Sequence, residues 1–304
     1  MNDERLTVGR HRIAITHTDK ILFPGDGITK ADLVDYYRRV ADFALPHWRD
    51  RPLSMQRFPD GIGKAGFFQK QIGDYFPDWI DRIELQKDDG RITHVVCNDA
   101  ATMVYLANQG CITPHLGLSR VDRIDRPDRL IVDLDPSDGD FGKVQDVARA
   151  TRALLDECEL ASFAMTTGSR GLHVVVPLDR ESGFDTVREI ARDLCRSLAH
   201  GLPHLATVEQ RKEKRGSRVF LDYLRNGYGQ TAVAPYGVRA KAGAPVATPL
   251  DWREALAGDM TPQRYTIANL FRRLGRKADP WAGIDRHGQS LTGARKLLAS
   301  RLPD

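Results

Sequence analysis

The chain is poor in cysteine and has no long apolar run. Of its 304 residues four are cysteines, Cys97, Cys111, Cys158 and Cys195. They form no C-x-x-C pair and no metal-ligand spacing, which argues against a disulfide framework or structural zinc and points to a reducing cytoplasm. The polar opening Met1-Asn2-Asp3-Glu4-Arg5 runs into no apolar segment, so neither a secretory signal nor a membrane span is expected. A Gly/Ser-rich linker, an internal repeat and a low-complexity tract are also missing. What is present is the composition of an ordinary globular chain, 41% hydrophobic and 28% charged, long enough for one large α/β domain or two smaller ones. The formal net charge of +4 only hints at an anionic partner.

The first part of the chain reads as strand, helix, strand. Residues 9–15 alternate as a strand. Thr29 with Asp32 three residues on is an N-cap signature, and Leu33, Tyr37, Val40, Ala41 and Ala44 then recur at helical spacing until Pro46, the expected stop. Residues 51–58 read as a strand, followed by a glycine-containing loop that ends in Phe67-Phe68 between Lys64 and Lys70. A strand over 91–97 and a helix over 100–108 follow. The run from Arg120 to Arg129, with Asp122, Asp125 and Asp128 interleaved, reads as a solvated connector.

From residue 130 the pattern becomes regular: strand 130–135, helix 141–158, strand 162–166, a glycine turn, strand 172–178, helix 184–198 and strand 218–223. The order β-α-β-β-α-β predicts an α+β fold with a split βαβ, ferredoxin-like palm sheet and helices on one face. An N-terminal α/β portion and a C-terminal extension would complete it. In the extension, strand-like segments over 231–235 and 236–240 precede two helical stretches, the second after Thr261-Pro262. The expectation is a single domain over 1–304, with about 1–129 as its N-terminal portion and about 130–304 as palm and extension.

Within that pattern one stretch calls for a ligand. Leu130-Ile131-Val132-Asp133-Leu134-Asp135-Pro136 is an apolar strand carrying two carboxylates on one face. At a rise of about 3.3 Å per residue they sit roughly 6–7 Å apart at the backbone. Their repulsion is on the order of 3 kcal/mol at an effective dielectric of about 20, which a hard divalent cation would relieve. Two solvated acids at an exposed strand end is the alternative. In the split βαβ order strand 130–135 is central and its neighbours are antiparallel to it. Asp133, Asp135, His173 and Asp222 then project from the face opposite the helices. Three carboxylates there would hold one or two divalent ions, the arrangement for in-line nucleotidyl transfer.

Three other segments carry chemistry. Thr167-Gly168-Ser169-Arg170-Gly171 offers hydroxyls, a guanidinium and backbone N–H groups to a triphosphate, or is an ordinary glycine-rich hairpin. Phe67-Phe68 among lysines suits base stacking beside phosphates, or is a pair of core phenylalanines. The basic segment 211–218, including Arg215, is either a nucleic-acid contact or a solvated loop.

Taken together, Asp133-Leu134-Asp135-Pro136, Thr167-Gly168-Ser169-Arg170-Gly171-Leu172-His173, Arg218-Val219-Phe220-Leu221-Asp222-Tyr223 and Ala234-Pro235-Tyr236-Gly237-Val238-Arg239 closely resemble the polymerase domain of bacterial ligase D. That is the primase-polymerase module of non-homologous end joining, in the archaeo-eukaryotic primase superfamily. The opening, Thr18 to Pro24 followed by Thr29-Lys30-Ala31-Asp32, is similar too. The resemblance implies a template-dependent nucleotidyltransferase that prefers ribonucleotides and uses two ions, manganese (or magnesium), held by Asp133, Asp135 and Asp222. It places His115, Thr167, Ser169, Arg170, His173, Arg225 and Arg239 around the incoming nucleotide. Phe67 and Phe68 would stack near the template, with Lys70 and Arg215 among the DNA contacts, and Lys20 and Lys30 would grip a 5′-phosphate at a gap or break. The implied partners are DNA ends, nucleoside triphosphates, ligase and nuclease modules and a bacterial Ku protein, all in the nucleoid. The sequence departs from the family at His17, where Asn is frequent, and at Arg170, where Lys is frequent; the second keeps the charge but changes the donor geometry. Two rivals remain: a haloacid-dehalogenase-like phosphatase, whose D-x-D opening Asp133 to Ser137 nearly fits but which needs a parallel sheet, and a non-catalytic DNA-end-binding module.

Overall fold

A computed structural model of the chain describes residues 4–87 and 90–301, so the first three residues of the polar opening lie outside it. The chain forms two compact units. The first comprises Met1–Gly117, Thr231–Ala247 and Tyr265–Lys277; the second comprises Leu118–Gln230, Thr248–Arg264 and Ala278–Asp304. The C-terminal extension is thus divided between the two. No helix among the described residues is long and apolar enough to cross a membrane.

The second unit contains the expected palm. Its six strands lie in the order Ala206–Thr207, Val219–Asp222, Arg129–Pro136, Leu172–Pro177, Phe163–Thr166 and Thr248–Leu250. Strand Arg129–Pro136 is central, and both of its neighbours run antiparallel to it, which removes the parallel sheet that the phosphatase alternative requires. Helices Phe141–Glu157 and Phe184–Gly201 pack on one face, where Val132, Leu134, Val174, Val176, Val219 and Leu221 are fully buried. This is the period-2 alternation of a strand meeting the 3.6-residue stripe of an amphipathic helix. The other face carries Asp133, Asp135, His173 and Asp222, and Ile131 and Val175 on that face are also buried. The run from residue 120 to 129 is a solvated connector only in its middle, where Asp122, Arg123 and Asp125 are exposed. Asp128 and Arg129 are buried, and Arg120 pairs with Asp128 at 3.0 Å and with Asp285 at 2.5 Å.

The first unit has its own sheet, in the order Thr231–Val233, Cys111–Gly117, Pro52–Arg57, Gly90–Val96 and Arg82–Lys87. Strand Phe67–Gln69 pairs with Pro52–Arg57 as a side branch. Helix Lys30–Trp48 opens with the expected capping box between Thr29 and Asp32. It does not stop at Pro46 but continues to Trp48. Trp48 is buried and donates from Nε1 to the Pro235 carbonyl at 2.7 Å, so tertiary packing carries the last turn past the proline. Helix Ala100–Asn108 forms as expected, with Asp99 as its side-chain cap. Two expectations fail in the extension. Residues 236–240 form no strand, only the bridge Val238–Val246, because Tyr236 takes a left-handed φ of 63°. The second helical stretch shrinks to Leu270–Leu274, because Tyr265 and Thr266 are held extended: the Val246 N–H donates to the Tyr265 carbonyl at 2.8 Å and Pro245 bridges Thr266.

Candidate active site

Strand register brings the palm acids together. Asp133 lies opposite His173 on one neighbour and opposite Asp222 on the other, while Asp135 lies opposite Phe220. A residue not singled out from the sequence holds this register. Past Asp222 the chain leaves the sheet in the turn Leu224–Asn226, and Asn226 then takes over the ladder with its side chain. Its Oδ1 accepts from the Ile131 N–H at 2.8 Å, and its Nδ2 donates to the Ile131 carbonyl at 2.8 Å and the Tyr223 carbonyl at 2.9 Å. Asn226 is fully buried with these donors and acceptors satisfied. Gly171 serves the opposite side. A Cβ at that position would lie 2.0 Å from the Leu134 carbonyl oxygen, so only glycine lets the turn approach the acid-bearing strand.

The acids are already paired with cations. Arg225 Nε lies 3.4 Å from Asp222 Oδ2 and 3.7 Å from Asp133 Oδ2, bridging the two carboxylates. Arg170 reaches Asp135 from Nη2, at 3.1 Å from Oδ1 and 2.9 Å from Oδ2. His173 is buried, with Nε2 3.6 Å from Asp133 Oδ1. Despite these partners the carboxyls of Asp135 and Asp222 are held above their ordinary range. Burial is the main cause for each, repulsion from Asp133 adds to it, and Arg170 and Arg225 respectively oppose it. Asp222 also accepts the Leu224 N–H at 2.9 Å.

The side chains as placed do not enclose an ion. Among the described residues no three His, Cys, Asp or Glu side chains converge closely enough to hold one. Their chemistry nonetheless suits a hard divalent cation: three carboxylates at adjoining register positions, with negative charge that burial makes costly and that Arg170 and Arg225 offset in part.

The turn at residues 167–171 is internally tied. Thr167 Oγ1 accepts from the N–H groups of Ser169 and Gly171, both at 3.3 Å, and donates to the Gly171 carbonyl at 3.1 Å. Two of the backbone donors that the sequence offers to a triphosphate are thereby engaged, and Thr167 itself is buried. Arg215 is buried too. It donates to the carbonyls of Glu209 and Gln210, and its guanidinium carbon lies 3.6 Å from the centre of the Phe220 ring. Ser169 and Arg225 are half-buried, and Arg170 is exposed.

The remaining candidates belong to the first unit. Phe67 and Phe68 are 48% and 59% exposed, which excludes the core-phenylalanine alternative. Lys70 is exposed beside them, and the Phe68 ring meets His115 edge-on at 5.3 Å. Lys20 pairs with Asp60 at 2.7 Å. Lys30 is buried at the start of helix Lys30–Trp48 and donates from Nζ to Thr16 Oγ1 at 3.2 Å. Its N–H donates to the Lys20 carbonyl at 2.8 Å, which ties the two lysine backbones together. His17, beside this pair, has a φ of 52°, a conformation in which Asn is the more usual residue. Arg239, half-buried, donates its N–H to the Pro245 carbonyl at 2.7 Å.

Comparison with known proteins gives the site its context. The family model described as "LigD, primase-polymerase domain" matches residues 29–281. The chain is 31% identical over 300 residues to the multifunctional non-homologous end joining protein LigD of Mycolicibacterium smegmatis, covering 96% of this chain and 39% of that protein. It is 32% identical to the Pseudomonas aeruginosa protein of the same description, covering 95% of this chain and 35% of that protein. It is also similar to the polymerase domain of Mycobacterium tuberculosis ligase D, solved in complex with DNA. That likeness has a TM-score of 0.85 and 29% identity, and covers 91% of this chain and 99% of the solved one. The chain spans less than half the length of the curated relatives it matches. It belongs to the LigD primase-polymerase domain family, a family of polymerase-type nucleotidyltransferases.

Proposed function

We propose, from that membership, that the protein adds nucleotides to a primer terminus at DNA ends and gaps under the direction of a template, as the polymerase component of bacterial non-homologous end joining. The observation that carries this reading is the register that sets Asp133 opposite both His173 and Asp222 on a central antiparallel strand. In this reading Asp133, Asp135 and Asp222 are the metal ligands. Two divalent ions there, manganese or magnesium, would supply a lowered pKa at an attacking 3′-hydroxyl and charge neutralisation at the leaving pyrophosphate. His173 positions the Asp133 carboxylate. Ser169 and Arg170 are the side-chain donors of the turn for the triphosphate, with Arg225, His115 and Arg239 as further contacts, and Thr167 shapes the turn from within. Guanidiniums suit this role because they present paired donors to phosphate oxygens. The preference is for ribonucleotides.

Phe67 and Phe68 stack on template bases, Lys70 and Arg215 add contacts to the DNA, and Lys20 with Lys30 takes the 5′-phosphate of a gap. The two units work as one domain over residues 1–304. Its further partners are ligase and nuclease modules and a Ku-type end-binding protein in the bacterial nucleoid. The test is primer extension on a gapped duplex with manganese. Asp133→Ala or Asp135→Ala is expected to lose extension by at least about a thousandfold while DNA binding persists. Undiminished extension in either variant would remove the metal assignment. DNA binding without extension by the unaltered protein would leave only an end-binding module.

A further inference from the structure

We infer that Tyr75 is a third aromatic of the nucleic-acid surface, held in advance for stacking against an unpaired base of a gapped strand. This rests on the polymerase reading above and adds a residue to it. Tyr75 is 59% exposed, one of five exposed large hydrophobic side chains among the described residues, and Phe67 and Phe68 are two of the others. An isolated exposed tyrosine needs no explanation. This one is fixed in place from two sides.

The first support is Arg57, on the strand that pairs with Phe67–Gln69. Its Nε donates to the Gln109 carbonyl at 2.8 Å. Its Nη1 donates to Gln69 Oε1 at 2.6 Å and to the Tyr75 hydroxyl at 2.7 Å. The same guanidinium lies 5.6 Å from the centre of the Phe67 ring. One arginine therefore ties Phe67, Gln69 and Tyr75 into a single surface, and no carboxylate neutralises it among the described residues. The second support is Gly73. A Cβ there would sit 2.4 Å from Tyr75 Cε1 and 2.9 Å from Cδ1, so the ring lies directly against the glycine. The φ of Gly73 is not in the left-handed region. The backbone does not demand glycine at this position, but any side chain there would displace the Tyr75 ring.

An aromatic face tethered before binding, next to a cation without a carboxylate partner among the described residues and to the exposed Phe67 ring, matches the chemistry of bases and phosphates. Stacking supplies sequence-tolerant affinity, and a ring already immobilised loses little entropy when a base lands on it. Unpaired nucleotides supply π-faces for the rings and phosphate for Arg57.

The experiment measures binding of a gapped duplex with 2-aminopurine at an unpaired template position, by anisotropy and by 2-aminopurine fluorescence. An ungapped duplex serves as control, and circular dichroism confirms folding of each variant. Tyr75→Ala is expected to weaken binding to the gapped duplex by about fivefold to a hundredfold, the range of one lost stacked base. Quenching of the probe should fall with it, and ungapped binding should change little. Tyr75→Phe, which keeps the ring against Gly73 but loses the bond from Arg57, should fall between the unaltered protein and Tyr75→Ala. Gly73→Ala, which displaces the ring, should follow Tyr75→Ala. If Tyr75→Ala binds the gapped duplex as the unaltered protein does while Phe67→Ala or Phe68→Ala loses affinity, the inference fails and the polymerase reading stands. A loss in Tyr75→Phe as large as in Tyr75→Ala also overturns it, since the ring would then not be the contact. If the unaltered protein binds neither gapped nor ungapped DNA, the polymerase reading fails first.

Discussion

The palm acids and the surface of the first unit hold their functional groups in contrasting states. In the palm, Asp133, Asp135 and Asp222 are recessed and already neutralised in part by Arg225 and Arg170. In the first unit, Phe67, Phe68 and Tyr75 stand in solvent, and the Lys20–Asp60 pair is open to water, with side chains 38% and 72% exposed. In the proposed reading the difference follows from what each group would bind. Carboxylates gathered for a cation repel one another and resist burial, so resident cations must hold them when no ligand does. Stacking faces carry no charge to offset and need only be accessible and ordered. An exposed ion pair such as Lys20–Asp60 is worth little, so in the proposed reading it would give way to a phosphate.

The contrast is sharpened first in the exposed unit. Lys20→Glu is expected to weaken binding to a 5′-phosphorylated gap by about tenfold or more, while binding to the unphosphorylated gap changes much less. Anisotropy on the two duplexes at one salt concentration measures this. Equal loss on both would reduce Lys20 to a general contact.

A smaller effect of opposite sign is expected in the palm. Folding raises the Asp222 carboxyl above its ordinary value of 3.8, chiefly through burial. A carboxyl raised in this way favours the fold fully below its unfolded value and loses that contribution as pH rises through the folded value. At neutral pH the ionised Asp222 therefore strains the metal-free fold. Asp222→Asn, which keeps an oxygen for the Leu224 N–H, should raise the melting midpoint modestly at pH 7. The gain should shrink as the pH approaches 4. A lowered midpoint at pH 7 would mean that Arg225 more than repays the burial of Asp222.

Much of this arrangement was legible in the residues. The split βαβ order follows from alternating strands and amphipathic helices between residues 130 and 223, and the register that joins Asp133, His173 and Asp222 follows from that order. The capping box at Thr29 is local chemistry and appears where the residues place it. What was not legible depends on contacts between distant residues. Asn226 looks like any turn asparagine until the ladder at Ile131 needs it, 95 residues away. The charges from Arg120 to Arg129 alternate as a solvated run would, yet Asp285, 165 residues on, joins Arg120 to the buried Asp128 in an ion-pair cluster. Pro46 is a valid stop signal overridden by the burial of Trp48. Tyr75 carries no periodic signal at all, because its place is set by Gly73 and Arg57.

The central claim is that the three palm acids exchange their arginine partners for divalent ions. Manganese binding followed by electron paramagnetic resonance, with a nucleoside triphosphate present, tests it most directly. The unaltered protein should deplete the free manganese signal beyond what the nucleotide does alone, and Asp133→Ala should not. Equal depletion by both proteins would contradict the claim.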